Sequence, residues 1–549
     1  MAVPRETPVI VIGGGPVGMV LAMWLDRLGV ASLVVNDEPT PRRLPKGSTQ
    51  NSRTMEHYRR LGIVEEIRKL GLPKDRQTDV VYFTRYNGYE LQRIRMPSER
   101  EKLESRDEAA PTDQVVEPVF RCNQMEVEGY LFDHLCTLAK PELRFGWRCI
   151  GFEEGADGVD VELEHVASGE RERRRGLYLV GCDGGQSFVR RSLGIRYSGE
   201  TPEQQAYLGG PMVSTYMRVP ALHERVLQEP GWQYWAVNRE VRSNTVCIDG
   251  RAEVLFNTRL DSPEQKPDDV LVTQAFHASV GEPIDVEILG HGTWTAGQAF
   301  VADSFATRRV LIAGDAAHLF TPTGGFGVNT GIDDATNLAW KLAAVVQGWG
   351  GPKLLETYEL ERRPIAFRNT GYAKELARSV GAVPVGEAIE EDSAAGEADR
   401  AAATEFLAGF GREFSSIGVQ LGARYDGSPI VVSDGSEPPA DDPVVYTPSS
   451  VPGGRAPHLW LRDRVSLYDR LGAGFTLLRL GGSSENVEQL SRAAAARGVP
   501  LTVVDVPEPE SRELYERELA FVRPDGHVAW RGDRAPQDPD ALLARITGW

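Results

Sequence analysis

Cysteine is scarce: the chain has Cys122, Cys136, Cys149, Cys182 and Cys247, scattered and odd in number. That pattern excludes a disulfide framework and the paired spacing of a zinc site, so reduced thiols and no metal are expected. Long apolar runs are also missing. Val9 to Ile12 is apolar, but glycines and Asp26 interrupt the residues after it, and neither a basic segment nor a cleavage-site pattern accompanies it. No signal peptide is expected. No stretch approaches the roughly 18 to 20 uninterrupted apolar residues of a membrane-spanning helix, so a cytoplasmic protein without a membrane partner is the expectation. Positive charge is in deficit as well: 61 Lys and Arg against 79 Asp and Glu leave −18. Such a balance argues against a sequence-independent grip on nucleic-acid phosphates or anionic lipid. The rest of the composition is ordinary for a globular protein, with 41% hydrophobic and 26% charged residues. The 549 residues exceed what one core supports, and two or three domains are expected.

The opening reads as a β-α-β unit. An apolar strand leads into Gly13-Gly14-Gly15-Pro16-Val17-Gly18, helix-compatible residues run to Leu28, and Gly29 precedes a second strand from Ala31 to Val35. Small residues at Gly13, Gly15 and Gly18 let backbone amides at a helix N-terminus approach a pyrophosphate, which predicts dinucleotide binding without separating FAD from NAD. An acid usually closes the second strand to hold the adenosine ribose. Here Asn36 and Asp37 occupy that place, and either suits the task.

Two later strands also end at glycine-acid pairs. Gly176 to Val180 reaches Gly181-Cys182-Asp183-Gly184, and Arg309 to Ala313 reaches Gly314-Asp315. Between them, residues 198 to 292 alternate apolar and polar and are rich in aromatics, which predicts antiparallel sheet. The stretch from 386 to 405 is acidic and small, a solvated linker or exposed helix. Beyond it, strands at Phe475 to Leu480 and Leu501 to Val506 flank a helix, and two β runs surround the turn Pro524-Asp525-Gly526, a strong hairpin signal.

The second glycine cluster decides the cofactor. Gly314-Asp315-Ala316-Ala317-His318 is followed by Pro322, Gly324, Gly325, Phe326, Gly327, Val328 and Asn329. A carboxylate at a strand end accepts ribityl hydroxyls, and glycine amides entering a helix stabilise negative charge on a reduced flavin ring. Both tasks suit FAD.

Gly13 to Gly18, Gly181-Cys182-Asp183-Gly-Gly-Gln-Ser187-Phe-Val-Arg190 and Gly314 to His318 together resemble the three fingerprints of group A flavoprotein aromatic hydroxylases. Arg53-Thr-Met-Glu56 and Gln124-x-x-x-Glu128-x-x-Leu131 are typical of the same family, and the match covers residues 1 to about 380. The tail motifs Gly453 to His458 and Val522 to Arg531 are similar to the C-terminal domain of its antibiotic-pathway members, the rebeccamycin, anthracycline and angucycline hydroxylases. The resemblance implies an α/β fold. A Rossmann-like FAD-binding domain of the GR2, para-hydroxybenzoate hydroxylase-like type is expected over 1–78, 115–197 and 293–385, with an inserted antiparallel β-sheet substrate domain over 79–114 and 198–292. A linker at 386–420 would then join a thioredoxin-like domain at 421–549, redox-dead because no cysteine lies beyond Cys247.

By the same resemblance, NADPH or NADH reduces the flavin, and O2 added at its C4a carbon is delivered to an electron-rich ring, a phenol, hydroxypyridine or polycyclic. Gly13, Gly15 and Gly18 hold pyrophosphate, Gln124 and Arg53 brace the flavin side, Asp315 binds ribityl or phosphate, and Gly325 to Asn329 cradle the ring. Asp183 serves FAD or nicotinamide handling or supports the sheet edge. Asn36 and Lys46 depart from the family's glutamate and arginine, which implies a looser adenosine grip. Tyr216, Trp232, Tyr234, Trp235, Phe256 and Trp294 are candidate walls of the substrate pocket together with Pro322 and Phe326, and Arg218, Arg239, His277 and His291 are candidate orienting or deprotonating groups. A homo-oligomer is the family-level expectation. A Baeyer-Villiger or epoxidising enzyme, or a redox-silent FAD-binding protein, is the alternative reading.

Overall fold

A computed structural model describes residues 5–200, 210–262, 264–296, 299–380 and 383–549. The first strand, Arg5–Ile12, lies in a seven-stranded sheet, parallel to Ser32–Asn36 on one side and to Arg171–Gly181 on the other. Val9, Ile10 and Val11 are wholly buried, as an uninterrupted apolar run in a parallel strand covered on both faces must be. Pro141–Phe145 extends the parallel set beyond Ser32–Asn36, Val310–Ile312 pairs with Arg171–Gly181, and Val159–His165 and Trp147–Glu154 complete it as an antiparallel meander. The helix Pro16–Arg27 starts where proline fits best, at the first position whose amide needs no partner, and buries Met19 through Leu25. It crosses the long helix Gly327–Val346, Val17 packing against Gly314 and Gly331 where any larger side chain would collide with it.

The second layer is another seven-stranded sheet, in the order Glu287–Ala296, Gly210–Arg218, Glu253–Arg259, Arg242–Cys247, Gln233–Val237, Val80–Phe83, Glu90–Ile94. It is mixed rather than wholly antiparallel, because Gln233–Val237 runs parallel to Val80–Phe83. Its last strand continues to Ala296, past the expected boundary at 292. Of the two readings of the acidic stretch the exposed helix is what forms, as Ala394–Leu407, and residues 386–420 also supply Ile389, Ala403, Leu407 and Phe410 to the core of this sheet. Most of the helix Ala394–Leu407, its acids and most of its alanines included, faces water while Gly396, Ala403 and Leu407 are buried, so net charge concealed an amphipathic segment.

The C-terminal unit is a four-stranded sheet ordered Leu501–Val506, Phe475–Leu480, Leu519–Val522, Val528–Gly532, the first pair parallel and the other two antiparallel. Helices Glu488–Ala496, Pro509–Tyr515 and Pro539–Ile546 complete a β-α-β-α-β-β-α chain. Gly526, at φ +84°, closes the hairpin turn. This unit does not stand apart: Trp340, Ala344 and Trp349 share one core with Phe475, Leu477 and Phe521.

Charge also crosses that junction, buried. The Glu361 carboxylate accepts from both terminal nitrogens of Arg523 at 2.7 Å, from Lys341 Nζ at 2.6 Å and from Asn337 Nδ2 at 2.8 Å. Asp525 accepts from Arg523 and, at 3.1 Å, from the Trp340 indole. Glu56 lies between Arg53 at 3.0 Å and Arg455. No sequence pattern pointed to this network, since its members are up to 472 residues apart.

Candidate functional site

The glycine loop is shaped by sterics at two positions and left open at a third. Gly13 has φ +112°, and a Cβ there would stand 2.2 Å from the Cys182 carbonyl oxygen; one on Gly18 would lie 2.0 Å from the Gly13 oxygen. Those two glycines are required by the packing of strand against helix. A Cβ on Gly15 would meet nothing within 4 Å, so this glycine borders free space at the N-terminus of the helix that Pro16 begins, where no side chain caps the amides. Exposed amides beside open room are what a pyrophosphate requires. Gly15→Ala is accordingly expected to leave the FAD-free fold's melting temperature unchanged and to weaken FAD binding about fivefold, on the order of one neutral hydrogen bond, in a flavin titration.

Asn36 is engaged. Its Oδ1 accepts the Gly14 amide at 3.1 Å and its Nδ2 donates to the Glu38 carbonyl at 3.2 Å, so it secures the loop, while Asp37 beside it is exposed. Asp183 also works inside the protein: Ser187 Oγ and the Val189 amide donate to its carboxylate, and burial pushes the carboxyl up.

Between the glycine-loop domain and the mixed sheet lies a cavity of about 1230 Å³. One wall is the segment from Leu44 through Thr49 with Arg121; the opposite wall is Trp232, Gln233, Trp235, Asn244, Asn257 and Trp294; Asp315 and Pro322 through Phe326 form the end. Asp315 is exposed to this space, and desolvation by the protein packed around it pushes its carboxyl up against the pull of His318 and Lys46. Its carboxylate accepts no hydrogen bond from the described residues, although its backbone oxygen takes the Tyr197 hydroxyl. An unpartnered carboxylate in a recess suits the hydroxyls of an extended ribityl chain.

At the cavity's end, Gly324 at φ +78° and Gly325 at φ +65° turn the chain into the helix Gly327–Val346, which has no side-chain cap and no acid in its first turn. Its positive end therefore opens beside the cavity. Gly327 starts that helix, and Val328 packs toward the core. Asn329 is a clamp rather than a ring contact: it donates to the carbonyls of Thr49 at 2.9 Å and Gly325 at 2.6 Å and accepts the Asn51 amide at 2.9 Å. Behind the loop, His318 pairs with Asp334 at 2.6 Å and His57 with Asp333 at 2.9 Å, and Arg362 holds both aspartates.

Several expected residues are elsewhere. Arg53 does not line the cavity; its guanidinium is buried between Glu56, Asp333 and the Asp525 carbonyl. Gln124 is tied to Glu128 and, through its amide, to the Gly47 carbonyl, while Lys46 lies exposed at the cavity rim. Strand alternation turns Tyr234 and Phe256 away from the cavity because Gln233, Trp235, Leu255 and Asn257 face it. Phe256 packs on Phe276, and the Tyr234 hydroxyl bonds to Gly231. Arg218 pairs with Glu253 and Glu287, Tyr216 with Glu253, and Arg239 with Glu387 near the surface. His291 bridges Thr215 and Asp269, and His277 binds the Ile284 carbonyl. None of these four cations and histidines reaches the cavity. Sequence reasoning missed Arg121, Asn244, Asn257, Phe414 and Gln420, which do line it.

Comparison with known proteins fits this geometry. The FAD binding domain family model matches residues 6–372, and the model of the aromatic-ring hydroxylase C-terminal domain matches residues 449–549. The chain belongs to the FAD-dependent aromatic-ring hydroxylases. Among curated members of that family it is 32% identical to the FAD-dependent monooxygenase apdD of Emericella nidulans, over 98% of this chain and 90% of that one. It is likewise 32% identical to a putative polyketide hydroxylase of Streptomyces halstedii, over 96% and 93%. Among solved structures, the rebeccamycin biosynthetic enzyme RebC with reduced flavin superposes with a TM-score of 0.87 at 34% identity, covering 100% of each chain. Aklavinone-11 hydroxylase in complex with FAD and aklavinone gives 0.81 at 27% identity, again over 100% of each.

Proposed function

We propose that this hydroxylase acts on a multi-ring aromatic substrate, and that the observation carrying this is the size and lining of its cavity. About 1230 Å³ is more than the roughly 300–1,000 Å³ of a site for one drug-sized ligand, room for a flavin ring and a fused-ring partner together. Relatives named as polyketide hydroxylases, and the aklavinone complex, support the reading.

FAD, once reduced by NADH or NADPH, supplies the activated oxygen. In this reading the chain's part is to hold and shield. Gly15 and the uncapped helix end take the pyrophosphate, Asp315 the ribityl hydroxyls, and the start of Gly327–Val346 faces the ring with its positive end. Trp232, Trp235 and Trp294 offer flat apolar faces and exclude water. Among the described residues no histidine or tyrosine lines the cavity, whereas Arg121, Arg242 and Arg259 do. Ionisation of a bound phenol is then favoured by this cationic field rather than by a dedicated base.

The test is NADH and NADPH oxidation in air by the purified yellow protein. Fused-ring phenols should stimulate it about tenfold more than phenol itself, since remote contacts raise turnover, and the product should be heavier by one oxygen atom. Equal stimulation by phenol would defeat the multi-ring reading, and bound flavin without turnover would favour the redox-silent alternative. The net charge of −18 supports a protein without nucleic-acid partners. Among the described residues, no helix is long and apolar enough to cross a membrane. Light scattering would test the expected homo-oligomer.

A further inference from the structure

The wall of the mixed sheet carries a line of side-chain hydrogen bonds that runs across four strands and stops at the cavity. Ser214 stands directly opposite Asn257, and Asn257 opposite Asn244, in the strand register, while Trp294 reaches Ser214 from two pairs further along. All four residues line the cavity. The Trp294 indole donates to Ser214 Oγ at 2.8 Å, Ser214 Oγ donates to Asn257 Oδ1 at 2.6 Å, and Asn257 Nδ2 donates to Asn244 Oδ1 at 3.2 Å.

The line has one direction in the structure. The Trp294 indole N–H donates to the Ser214 oxygen, and the Ser214 proton goes to Asn257 Oδ1. The Asn257 amide turns its oxygen to Ser214 and its nitrogen to Asn244, which sets the Asn244 oxygen toward Asn257 and leaves its NH2 at the end. That Nδ2 has no hydrogen-bond partner among the described residues, although Asn244 is only 7% exposed. Buried amide nitrogens are nearly always paired, and an orphan calls for a partner that the chain itself does not supply. Trp232, 6% exposed on the same wall, holds a second unpartnered N–H on its indole. Beside Asn244 in the register is Trp235, a flat surface for a ring.

We propose that Asn244 determines specificity by donating a hydrogen bond to an acceptor oxygen on the substrate's ring edge, a quinone-type carbonyl. The inference rests on the aromatic-hydroxylase reading of the cavity and adds the polarity of the group recognised. A ligand presenting an N–H or ammonium at that point meets a donor and is rejected, and a ring without an acceptor leaves the amide unpaired. Ser214, Asn257 and Trp294 are positioning residues: they hold the Asn244 amide in the donating orientation and need not touch the ligand.

The experiment uses the FAD-loaded protein and two probes that differ in the carbonyls, hydroxyanthraquinone and hydroxyanthracene, with binding followed by quenching of tryptophan fluorescence. Wild type should bind hydroxyanthraquinone about tenfold more tightly than hydroxyanthracene. Asn244→Leu should lose that preference while its affinity for hydroxyanthracene stays the same, and Asn244→Asp should bind the quinone more weakly still. Trp294→Phe, which frees Ser214 to reverse and lets the Asn244 amide flip, should reduce the preference without abolishing binding. Equal losses for both probes in Asn244→Leu would show a packing role and overturn the proposal, as would a wild type that binds neither probe or fails to discriminate. Flavin content and NAD(P)H oxidation, measured on the same samples, report separately on the hydroxylase reading.

Discussion

Replacing Asp315 by alanine is expected to weaken FAD binding about 10- to 100-fold in a folded protein. One or more hydrogen bonds to a charged acceptor contribute about 1.5–3 kcal/mol each, and the described residues offer this carboxylate no donor that would compete with a ligand. The variant's FAD-free form should be no less stable than wild type. Burial raises the Asp315 carboxyl above its ordinary range, so ionising it in the folded chain costs free energy. A raised pKa gives stability that is full in acid and lost as pH rises, and alanine removes this loss. The FAD-free variant should consequently melt at or slightly above wild type at neutral pH, and the difference should vanish below about pH 4, where both folded and unfolded carboxyls are protonated. Flavin-fluorescence titration and thermal melts read the two effects separately. Full FAD occupancy in the variant would refute the assignment of Asp315.

Glu361→Ala should destabilise the whole chain rather than the cofactor site alone. Glu361 is wholly buried and holds two buried cations, Lys341 and Arg523. Removing one member of such a network leaves charge without compensation and costs about 3–5 kcal/mol. For a chain of this size the melting temperature should fall by about 3–4 °C, with exposure of apolar surface at lower temperature. A joint change of Glu361, Lys341 and Arg523 to methionine together with Asp525→Asn, which removes the carboxylate that Arg523 also pairs, should recover much of the loss, because desolvation falls together with attraction. The pH dependence has a definite sign. Arg523 and Lys341 overcome burial and hold the Glu361 carboxyl down at about 2, from 4.5. Its stabilising effect is full above pH 4.5 and is lost as pH falls toward 2. Wild type should show a steep acid transition in that window, shallower in the methionine variant. An alanine variant that melts with wild type would remove the network from any structural role.

The legible parts of this chain are those whose physics is local. Gly18 is dictated by its contact with Gly13 in its own turn, and the Pro524-Asp525-Gly526 hairpin by its own backbone. Which aromatics face the cavity is not legible. Tyr234 and Trp235 are neighbours of similar character, and only pairing with other strands decides which of them turns inward. Arg53 stands in a family motif, but its partners Asp333 and Asp525 lie far along the chain, and the motif's presence says nothing of a junction between domains. Asn329 sits in the glycine loop expected to cradle the flavin ring, whereas its three hydrogen bonds all go to the protein. The exposed helix within residues 386–420 is legible, but its core contacts through Ala403 and Leu407 are not, because composition reports charge and not its distribution around a helix.

The buried junction has a consequence for exchanging parts among these hydroxylases. Arg53 bonds the hairpin carbonyl of Asp525 at 2.7 Å and reaches Asp333 at 3.4 Å, on the helix whose first turn meets the cavity. A C-terminal unit grafted from a relative would bring its hairpin to a socket cut for this one. Unless Arg53, Glu56, Lys341 and Glu361 were matched to the incoming chain, the graft would bury charges that no longer meet, and the helix end facing the cavity would shift with them. The unit without cysteines is inherited together with its socket, as one half of a fitted joint.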